Sequence, residues 1–304
     1  MYDARTGLSS LQVLKLDGCT SLATLTSLPT TLKSLNFRMS ISENGSLETG
    51  SLESVEDASL PNLRDLAITR CPKLKRLALH ATSLERLDLS ECAGLVDLAC
   101  IGNPTSLEIM DLRGCEGLED LDCKGLSSLR VLKLDGCTVS SLPTTVESLS
   151  YNTGSLESVE DILQASLPNL RSLTIAYCPK LKRLALHETS LEKLDLEGCA
   201  GLEDLDCKGL SSLRFLSLDL CTSLATLSSL PTTLQSLSLR MYYAIGSLES
   251  VEDASLPNLR DLTITRCPKL KRLALHATSL EKLDLTGCEG LEDLDCKGTI
   301  FTLL

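Results

Sequence analysis

The sequence lacks tryptophan and has only three Phe and five Tyr among its 304 residues. A chain of this length can bury a large core. With aromatic residues at 3% and hydrophobic residues at 43%, that core must consist of aliphatic side chains. The same hydrophobic content argues against a disordered chain. We expect a core assembled from many similar small pieces.

Excess positive charge and long apolar runs are also missing. Lys and Arg number 29 against 41 Asp and Glu, a net charge of −12, which disfavours nucleic acid and anionic lipid as partners. No stretch reaches the roughly 20 apolar residues that span a bilayer, and the start at Met1 lacks the order of a signal peptide. We therefore predict no nucleic-acid partner, no membrane span and a cytoplasmic or other intracellular location.

Motifs of nucleotide binding and hydrolysis, such as G-x-x-x-x-G-K-[ST], G-x-S-x-G and H-E-x-x-H, do not occur. The histidines His80, His187 and His276 are one position copied three times, which fits loop chemistry better than a catalytic base. No C-x-x-C pair exists to suggest a zinc site. The sequence thus predicts no enzyme activity, no catalytic residue, no cofactor and no metal.

Internal repetition dominates what the sequence does contain. A long unit starts near Gly50 and returns, nearly unchanged, from Gly154 and from Gly246. Within it recurs a shorter unit, L-x-x-L-x-L-x-x-C, as in residues 63–71. Following the short unit along the chain predicts thirteen turns, whose last positions we call marker positions: Cys19, Ser40, Cys71, Cys92, Cys115, Cys137, Gly154, Cys178, Cys199, Cys221, Tyr242, Cys267 and Cys288.

The short unit resembles the strand signature of the leucine-rich-repeat family over practically the whole chain, with Cys where that family often has Asn. The wording LPNLRSLTIAYCPKL is similar to repeats of plant nucleotide-binding immune receptors, and SSLPTTLQSLSL to repeats of secreted bacterial effectors. The resemblance implies a single α/β solenoid over residues 1–304. Its expected form is a right-handed curved coil of about thirteen turns, with a parallel sheet on the concave face and a mostly extended convex side.

Two local features carry further predictions. The segment SLESVED, present three times, is expected to form a single helical turn that Pro61, Pro168 and Pro257 end. Ten of the fourteen cysteines occupy marker positions, and we expect small, buried, reduced thiols that bond weakly to loop backbone. The remaining four each follow a marker cysteine by eight residues: Cys100, Cys123, Cys207 and Cys296.

Charge is distributed unevenly over the predicted faces. The outward strand positions hold eight basic and ten acidic residues, a balance of −2 out of −12, so most of the excess negative charge lies on the return side. It concentrates in residues 116–122, 203–206 and 289–295. A solvated, solubilising surface explains these segments, and calcium binding by their carboxylates stays open as an alternative.

Apolar and aromatic residues at outward strand positions are candidate anchors for a partner. Phe215 differs from its counterpart Val131 while the surrounding segment barely changes. We therefore predict a contact patch on turns eight to eleven. The candidate partner-binding residues are Phe215, Tyr177, Tyr242, Ile109, Val131 and Arg113.

Neither end of the repeats has a polar capping unit, since the pattern begins at Leu8 and stops within residues 296–304. Such ends predict end-to-end self-association, docking against another subunit, or a chain that is part of a longer one. The sequence favours a non-enzymatic module that binds a protein partner on its concave strand face. The alternative is a structural or assembly subunit, and an engineered or recently duplicated array also stays open.

Overall fold

The computed structural model describes residues 8–39, 49–96, 98, 104–119, 121–123, 125–137, 139–152, 154, 156–158, 167–186, 190–207, 209–228, 230–243 and 245–297. The chain divides into two compact units, Met1–Val146 and Glu147–Leu304. Within the described ranges no residue is helical, and both units are built from parallel strands. A single solenoid over the whole chain stays a prediction, so we describe each unit separately.

Unit 1 contains eleven strands. Six of them, β1, β3, β5, β7, β8 and β10, lie side by side in a parallel front sheet, while β2, β4 and β6 form one return sheet and β9 and β11 another. Their bounds are β1 Val13–Lys15, β2 Thr24–Leu25, β3 Ser34–Arg38, β4 Ser54–Ser59, β5 Asp65–Thr69, β6 Arg76–His80, β7 Arg86–Asp88, β8 Ile109–Arg113, β9 Leu121–Asp122, β10 Val131–Asp135 and β11 Val139–Ser141.

Unit 2 repeats this plan with thirteen strands. Its front sheet consists of β12, β13, β15, β17, β19, β21 and β23, and its return strands pair as β14 with β16 and as β18, β20, β22 and β24. Their bounds are β12 Ser148–Asn152, β13 Ser172–Ala176, β14 Arg183–Ala185, β15 Lys193–Asp195, β16 Asp204–Asp206, β17 Phe215–Ser217, β18 Thr226–Leu227, β19 Ser236–Arg240, β20 Ser250–Ser255, β21 Asp261–Thr265, β22 Arg272–His276, β23 Lys282–Asp284 and β24 Asp293–Lys297.

The core of each unit is a stack of aliphatic side chains between front and return strands. Leu35 on β3 pairs in register with Leu66 on β5, which pairs with Leu87 on β7, and all three are buried. Burial of each such side chain contributes about 1.5–3 kcal/mol. The predicted aliphatic column and the extended return side are therefore confirmed.

The number of complete turns is smaller than the sequence predicts. Eleven front strands are followed by a return strand. The front strands β7 and β12 have no return strand among the described residues, and the segments that follow them include undescribed positions. The described coil thus has about eleven complete turns instead of thirteen.

The helical turn expected in SLESVED is wrong for two of the three copies. Residues 54–59 and 250–255 are strands β4 and β20, and the third copy lies mostly outside the described residues. Strand β4 pairs with β2 through Val55 and with β6 on its other side, with a bulge between Val55 and Ala58. An isolated helical turn is costly to nucleate, whereas the extended segment pairs with both neighbours.

Threonine hydroxyls join successive turns where the sequence reads SLPTT or SSLPTT. Thr31, Thr145 and Thr233 each donate a 2.7 Å hydrogen bond to a main-chain carbonyl of the preceding turn, at Leu11, Leu129 and Leu213 respectively. These bonds satisfy carbonyls at the point where the chain enters the front strand. They hold the start of three front strands in register.

Candidate functional site

Buried thiols fix the loops at the carboxyl ends of the front strands, beside which the candidate residues lie. The Sγ of Cys199 donates to the carbonyl of Ile175 at 3.3 Å, and that of Cys221 to the carbonyl of Leu196 at 3.2 Å. Each bond therefore joins a marker position to the core strand of the preceding turn. Equivalent bonds are made by Cys92, Cys115, Cys137 and Cys288.

The predicted burial of the cysteines is confirmed for ten of them, while Cys19 is exposed and Cys288 half-buried. Cys100 and the side chain of Cys296 lie outside what the structure describes. Burial raises the pKa of Cys221 and of Cys207 to about 12. These thiols are therefore neutral, and that of Cys221 serves as a weak hydrogen-bond donor.

The residue before each marker cysteine adopts a left-handed backbone conformation. Glycine holds this place at Gly198, with φ +74°, but a side chain holds it at Tyr177, with φ 52°, and at Leu220, with φ 62°. The Tyr177 ring lies on Gly198, where an added Cβ would be 2.5 Å from the ring Cδ1. The left-handed turn thus directs Tyr177 along the edge of the front sheet toward the next turn.

Three of the predicted partner-binding residues are exposed on unit 2. Phe215 opens strand β17 between Lys193 and Ser236 of the neighbouring strands and is 47% exposed. Tyr177 is 51% exposed and Tyr242, at the marker position after β19, is 60% exposed. Tyr243 and Ile245 are also exposed and continue the loop that begins at Tyr242.

Three carboxylates lie among these aromatic residues. Asp195 accepts a hydrogen bond from the main-chain N–H of Glu197 at 3.3 Å, and Asp219 accepts from the Ser238 hydroxyl at 2.6 Å and from the N–H of Arg240 at 2.8 Å. Glu197 accepts from the Tyr177 hydroxyl at 3.0 Å. None of the ion pairs among the described residues involves these carboxylates.

The other three predicted residues lie on unit 1, where the charges are internally paired. Ile109 and Val131 are neighbours on β8 and β10, and both are half-buried. Arg113 binds Asp111 through Nε at 2.9 Å and through a second nitrogen at 2.8 Å, and Lys133 approaches the same carboxylate at 3.3 Å. Arg113 is therefore engaged within the sheet.

Asp111 is 6% exposed despite its outward position. Burial alone would raise the pKa of this carboxyl, but the hydrogen bond and charge of Arg113, with the charge of Lys133, bring it below the ordinary value of 3.8. The charge is stabilised by both cations. The charged candidate residue of unit 1 is thus in an ion pair, whereas the carboxylates near the unit 2 candidates are in none among the described residues.

The return side of unit 2 contains an open polar groove of about 500 Å³, lined by residues that include Lys182, Arg183 and Asp204. Arg183 pairs with Asp204 at 2.9 Å, and Arg272 pairs with Asp293 at 3.4 Å in the same way. Acidic residues of the return strands are thus matched to arginines. Among the described residues no group of three or more His, Cys, Asp or Glu could hold a metal ion.

Comparison with known proteins gives two relatives and several solved structures. No family model matches the chain. The chain is 31% identical over 299 residues to Protein SUPPRESSOR OF npr1-1, CONSTITUTIVE 1 of Arabidopsis thaliana, covering 93% of this chain and 17% of that protein. It is 29% identical over 241 residues to Disease resistance protein RML1A of the same plant, covering 77% and 20%. The chain thus spans about a fifth or less of either relative.

Two of the similar solved structures are bacterial proteins of low sequence identity. An internalin, inlF, from Listeria monocytogenes has a TM-score of 0.41 at 16% identity, covering 94% of this chain and 87% of that one. YopM from Yersinia enterocolitica has a TM-score of 0.30 at 17% identity, covering 95% and 90%. The described residues also contain no helix long and apolar enough to cross a membrane.

The repeated L-x-x-L-x-L-x-x-C unit, the buried leucines at its fixed positions and the parallel front strands together define the class of protein. This chain belongs to the leucine-rich-repeat family.

Proposed function

We propose that this array of repeats is a non-enzymatic module that binds a protein partner on the front sheet of unit 2. The observation that carries the proposal is the exposure of Phe215 on the front sheet, with Tyr177 and Tyr242 exposed beyond the ends of the front strands β13 and β19. Aromatic side chains of this kind supply most of the energy of protein interfaces. Ile109, Val131 and Arg113 of unit 1 form a secondary candidate surface.

The two Arabidopsis relatives, one of which is named a disease resistance protein, support assigning the array to a protein of that kind. The proposal concerns the repeats alone, because the chain spans 17% and 20% of these relatives. The described residues that line the polar groove include no histidine or cysteine, and burial keeps the thiols of Cys207 and Cys221 neutral, which favours binding over catalysis at these places.

The test places a photo-crosslinking amino acid at Phe215 and, as a matched control, at Val96, which is 65% exposed in unit 1. We expect a specific adduct at Phe215 in cells of the source organism, none at Val96, and loss of the adduct at Phe215 when Tyr177 is changed to Ala. Equal labelling at both positions contradicts the proposal. A mass that grows with protein concentration, without any Phe215 adduct, would favour the alternative of an assembly subunit.

A further inference from the structure

One segment of unit 1 returns almost unchanged in unit 2, and the differences lie on the outer surface. Residues 117–138 and 201–222 are identical except at three positions. Val131 is replaced by Phe215, Lys133 by Ser217 and Gly136 by Leu220. The first two positions face outward on the front strands β10 and β17, and the third lies at their edge. The buried positions of the two turns are the same.

The turns that precede these two segments also differ in charge, and unit 2 again has fewer cations. Asp111 and Lys133 are register partners on neighbouring strands, and Asp195 and Ser217 hold the equivalent positions in unit 2. The place of Arg113, two residues after Asp111, is taken by Glu197, two residues after Asp195. The net charge of Asp111, Arg113 and Lys133 is +1. The net charge of their equivalents, Asp195, Glu197 and Ser217, is −2.

This change leaves Asp195, Glu197 and Asp219, which lie beside the exposed aromatic residues, without an ion pair among the described residues. In unit 1 both cations bind Asp111 directly. In unit 2 the main-chain bond from Gly198 N to Asp219 O, at 2.8 Å, places Glu197 and Asp219 on adjacent turns, whose strands are about 4.8 Å apart. Lys193 lies beside Phe215 at the opposite end of the strand, and Arg240 contacts Asp219 through its main-chain N–H at 2.8 Å.

Leu220 places an apolar side chain at the edge of the front sheet, where unit 1 has glycine. Its φ is 62°, in the left-handed region, where its counterpart Gly136 has φ 74°. A leucine in this conformation is strained, so the exchange of Gly for Leu adds apolar surface to the sheet edge at a conformational cost. The three differences thus add an aromatic ring, remove a cation and enlarge the apolar edge.

From this charge and aromatic pattern we infer that the protein partner presents an extended segment containing lysine and arginine to the surface formed by Phe215, Asp195, Glu197, Asp219 and Tyr177, here called the Phe215 surface. Carboxylates form charge-assisted hydrogen bonds with Arg and Lys. The rings of Phe215 and Tyr177 bind the same cations by cation–π contact. This inference rests on the proposed function and specifies the chemistry of the partner.

The test uses a random peptide library displayed on phage, selected on the full chain and counter-selected on the Phe215→Val variant. Valine occupies the equivalent place at Val131, so the fold accepts it. We expect the enriched peptides to contain an excess of Lys and Arg. Their affinity should fall when the ionic strength rises from about 0.1 M to about 1 M, which shortens the screening length from about 10 Å to about 3 Å.

Two charge variants then separate specific from general attraction. Glu197→Arg with Ser217→Lys restores the pattern that unit 1 tolerates, and we expect the selected peptides to bind about tenfold or more weakly. Glu203→Arg with Ser211→Lys makes the same change in net charge at exposed positions outside the front strands, and should leave affinity nearly unchanged. Equal loss in both variants overturns the inference, because binding would then follow net charge alone.

The selection also distinguishes this inference from the proposed function. Peptides that depend on Phe215 but show no excess of Lys and Arg would overturn the basic partner and leave the front-sheet binding site intact. Enriched peptides that bind the Phe215→Val variant as well as the unchanged chain would contradict both the inference and the proposed anchor.

Discussion

The hydroxyl of Tyr177 donates a 3.0 Å hydrogen bond to Oε1 of Glu197 on the next turn. The hydrogen bond and the negative charge of Glu197 hold the pKa of Tyr177 above its ordinary value of 10.0. We expect Glu197→Gln to lower the Tyr177 pKa toward that value. Ultraviolet titration, with Tyr177→Phe used to subtract the other tyrosines, measures the change. An unchanged Tyr177 midpoint would show that the contact is not made in solution.

Gly198 supports the same contact by leaving room for the Tyr177 ring. Gly198→Ala should destabilise the protein by about 1–3 kcal/mol, because Gly198 has φ +74° and an added Cβ would be 2.5 Å from the ring. Gly18→Ala is the matched control, since Gly18 has φ +72° but no atom within 4 Å of an added Cβ. Urea unfolding should show the larger loss for Gly198. Equal losses of stability in the two variants would show that the backbone conformation alone, and not the contact with the Tyr177 ring, causes the loss.

The buried thiols predict a loss of stability in alkali. Burial raises the pKa of Cys221 from the ordinary value of 9.0 to about 12, and that of Cys137 to about 11. Below pH 9 the thiol is protonated in both folded and unfolded chains, whereas above pH 9 only the unfolded chain ionises. The unfolding free energy should therefore fall as pH rises from 9 toward 12.

Denaturant unfolding across this pH range, with a reductant present, measures the effect. Cys221→Ala should reduce the slope of unfolding free energy against pH, while a change at the exposed Cys19 should not. A slope that is the same in all three proteins would exclude the buried thiol as its source.

Asp111 should stabilise unit 1 in a pH-dependent way. Its folded pKa lies below the ordinary value of 3.8, so its contribution is present above that pH and is lost as pH falls through the folded pKa. At neutral pH, Asp111→Asn should cost about 1–3 kcal/mol, because it removes the partner of Arg113 and Lys133.

The exposed pair of Glu85 with Arg64, at 3.3 Å, offers the control for Asp111. Glu85→Gln should cost less than about 1 kcal/mol, as exposed ion pairs do. Chemical unfolding at neutral pH and near pH 3 compares the two variants. The Asp111 variant should lose its disadvantage in acid, and a deficit that persists unchanged there would assign the effect to packing instead of charge.

The Thr233 hydroxyl should measurably stabilise the register of β19. Thr233→Val removes a 2.7 Å bond to the Leu213 carbonyl and should cost about 1 kcal/mol. The neighbouring Thr232 is exposed, and Thr232→Val should cost about half of that or less. Thermal unfolding of both variants provides the comparison, and equal shifts would show that β-branching, common to both changes, dominates.

The repeats, the inward leucines and the family could be predicted from the sequence because a strand alternates its side chains with period two. That period places Leu66 and Ile68 in the core, as found. The same period does not predict how much of an outward side chain is exposed to solvent. Ala67 faces the opposite side of β5 and is nonetheless fully buried, because a methyl group between Asn36 and Asp88 of the neighbouring strands is too short to reach solvent.

The contacts between turns could not be predicted from the sequence. The hydrogen bond from Cys92 to the carbonyl of Ile68 joins residues 24 positions apart, and no local pattern encodes it. The ring of Tyr177 against Gly198 likewise depends on a left-handed backbone at a non-glycine residue. The strand at residues 54–59 was missed because a bulge shifts its register and hides the alternation. In the candidate site, the sequence predicted outward positions for the aromatic residues, and their role in binding stays a prediction, whereas the hydrogen bonds of Asp195, Glu197 and Asp219 were not predicted.

The thiol bonds between turns constrain where the chain can grow. Cys71, Cys178 and Cys267 donate within their own turns, to Thr69, Ala176 and Thr265, and each follows a turn whose marker is not cysteine. An insertion before the turn of Cys71 or of Cys267 leaves the thiol bond to Thr69 or to Thr265 intact. The exposed residues Tyr242, Tyr243 and Ile245 occupy a loop of this kind. New recognition loops can therefore arise at the boundaries between long copies, while the tethered turns keep the scaffold unchanged.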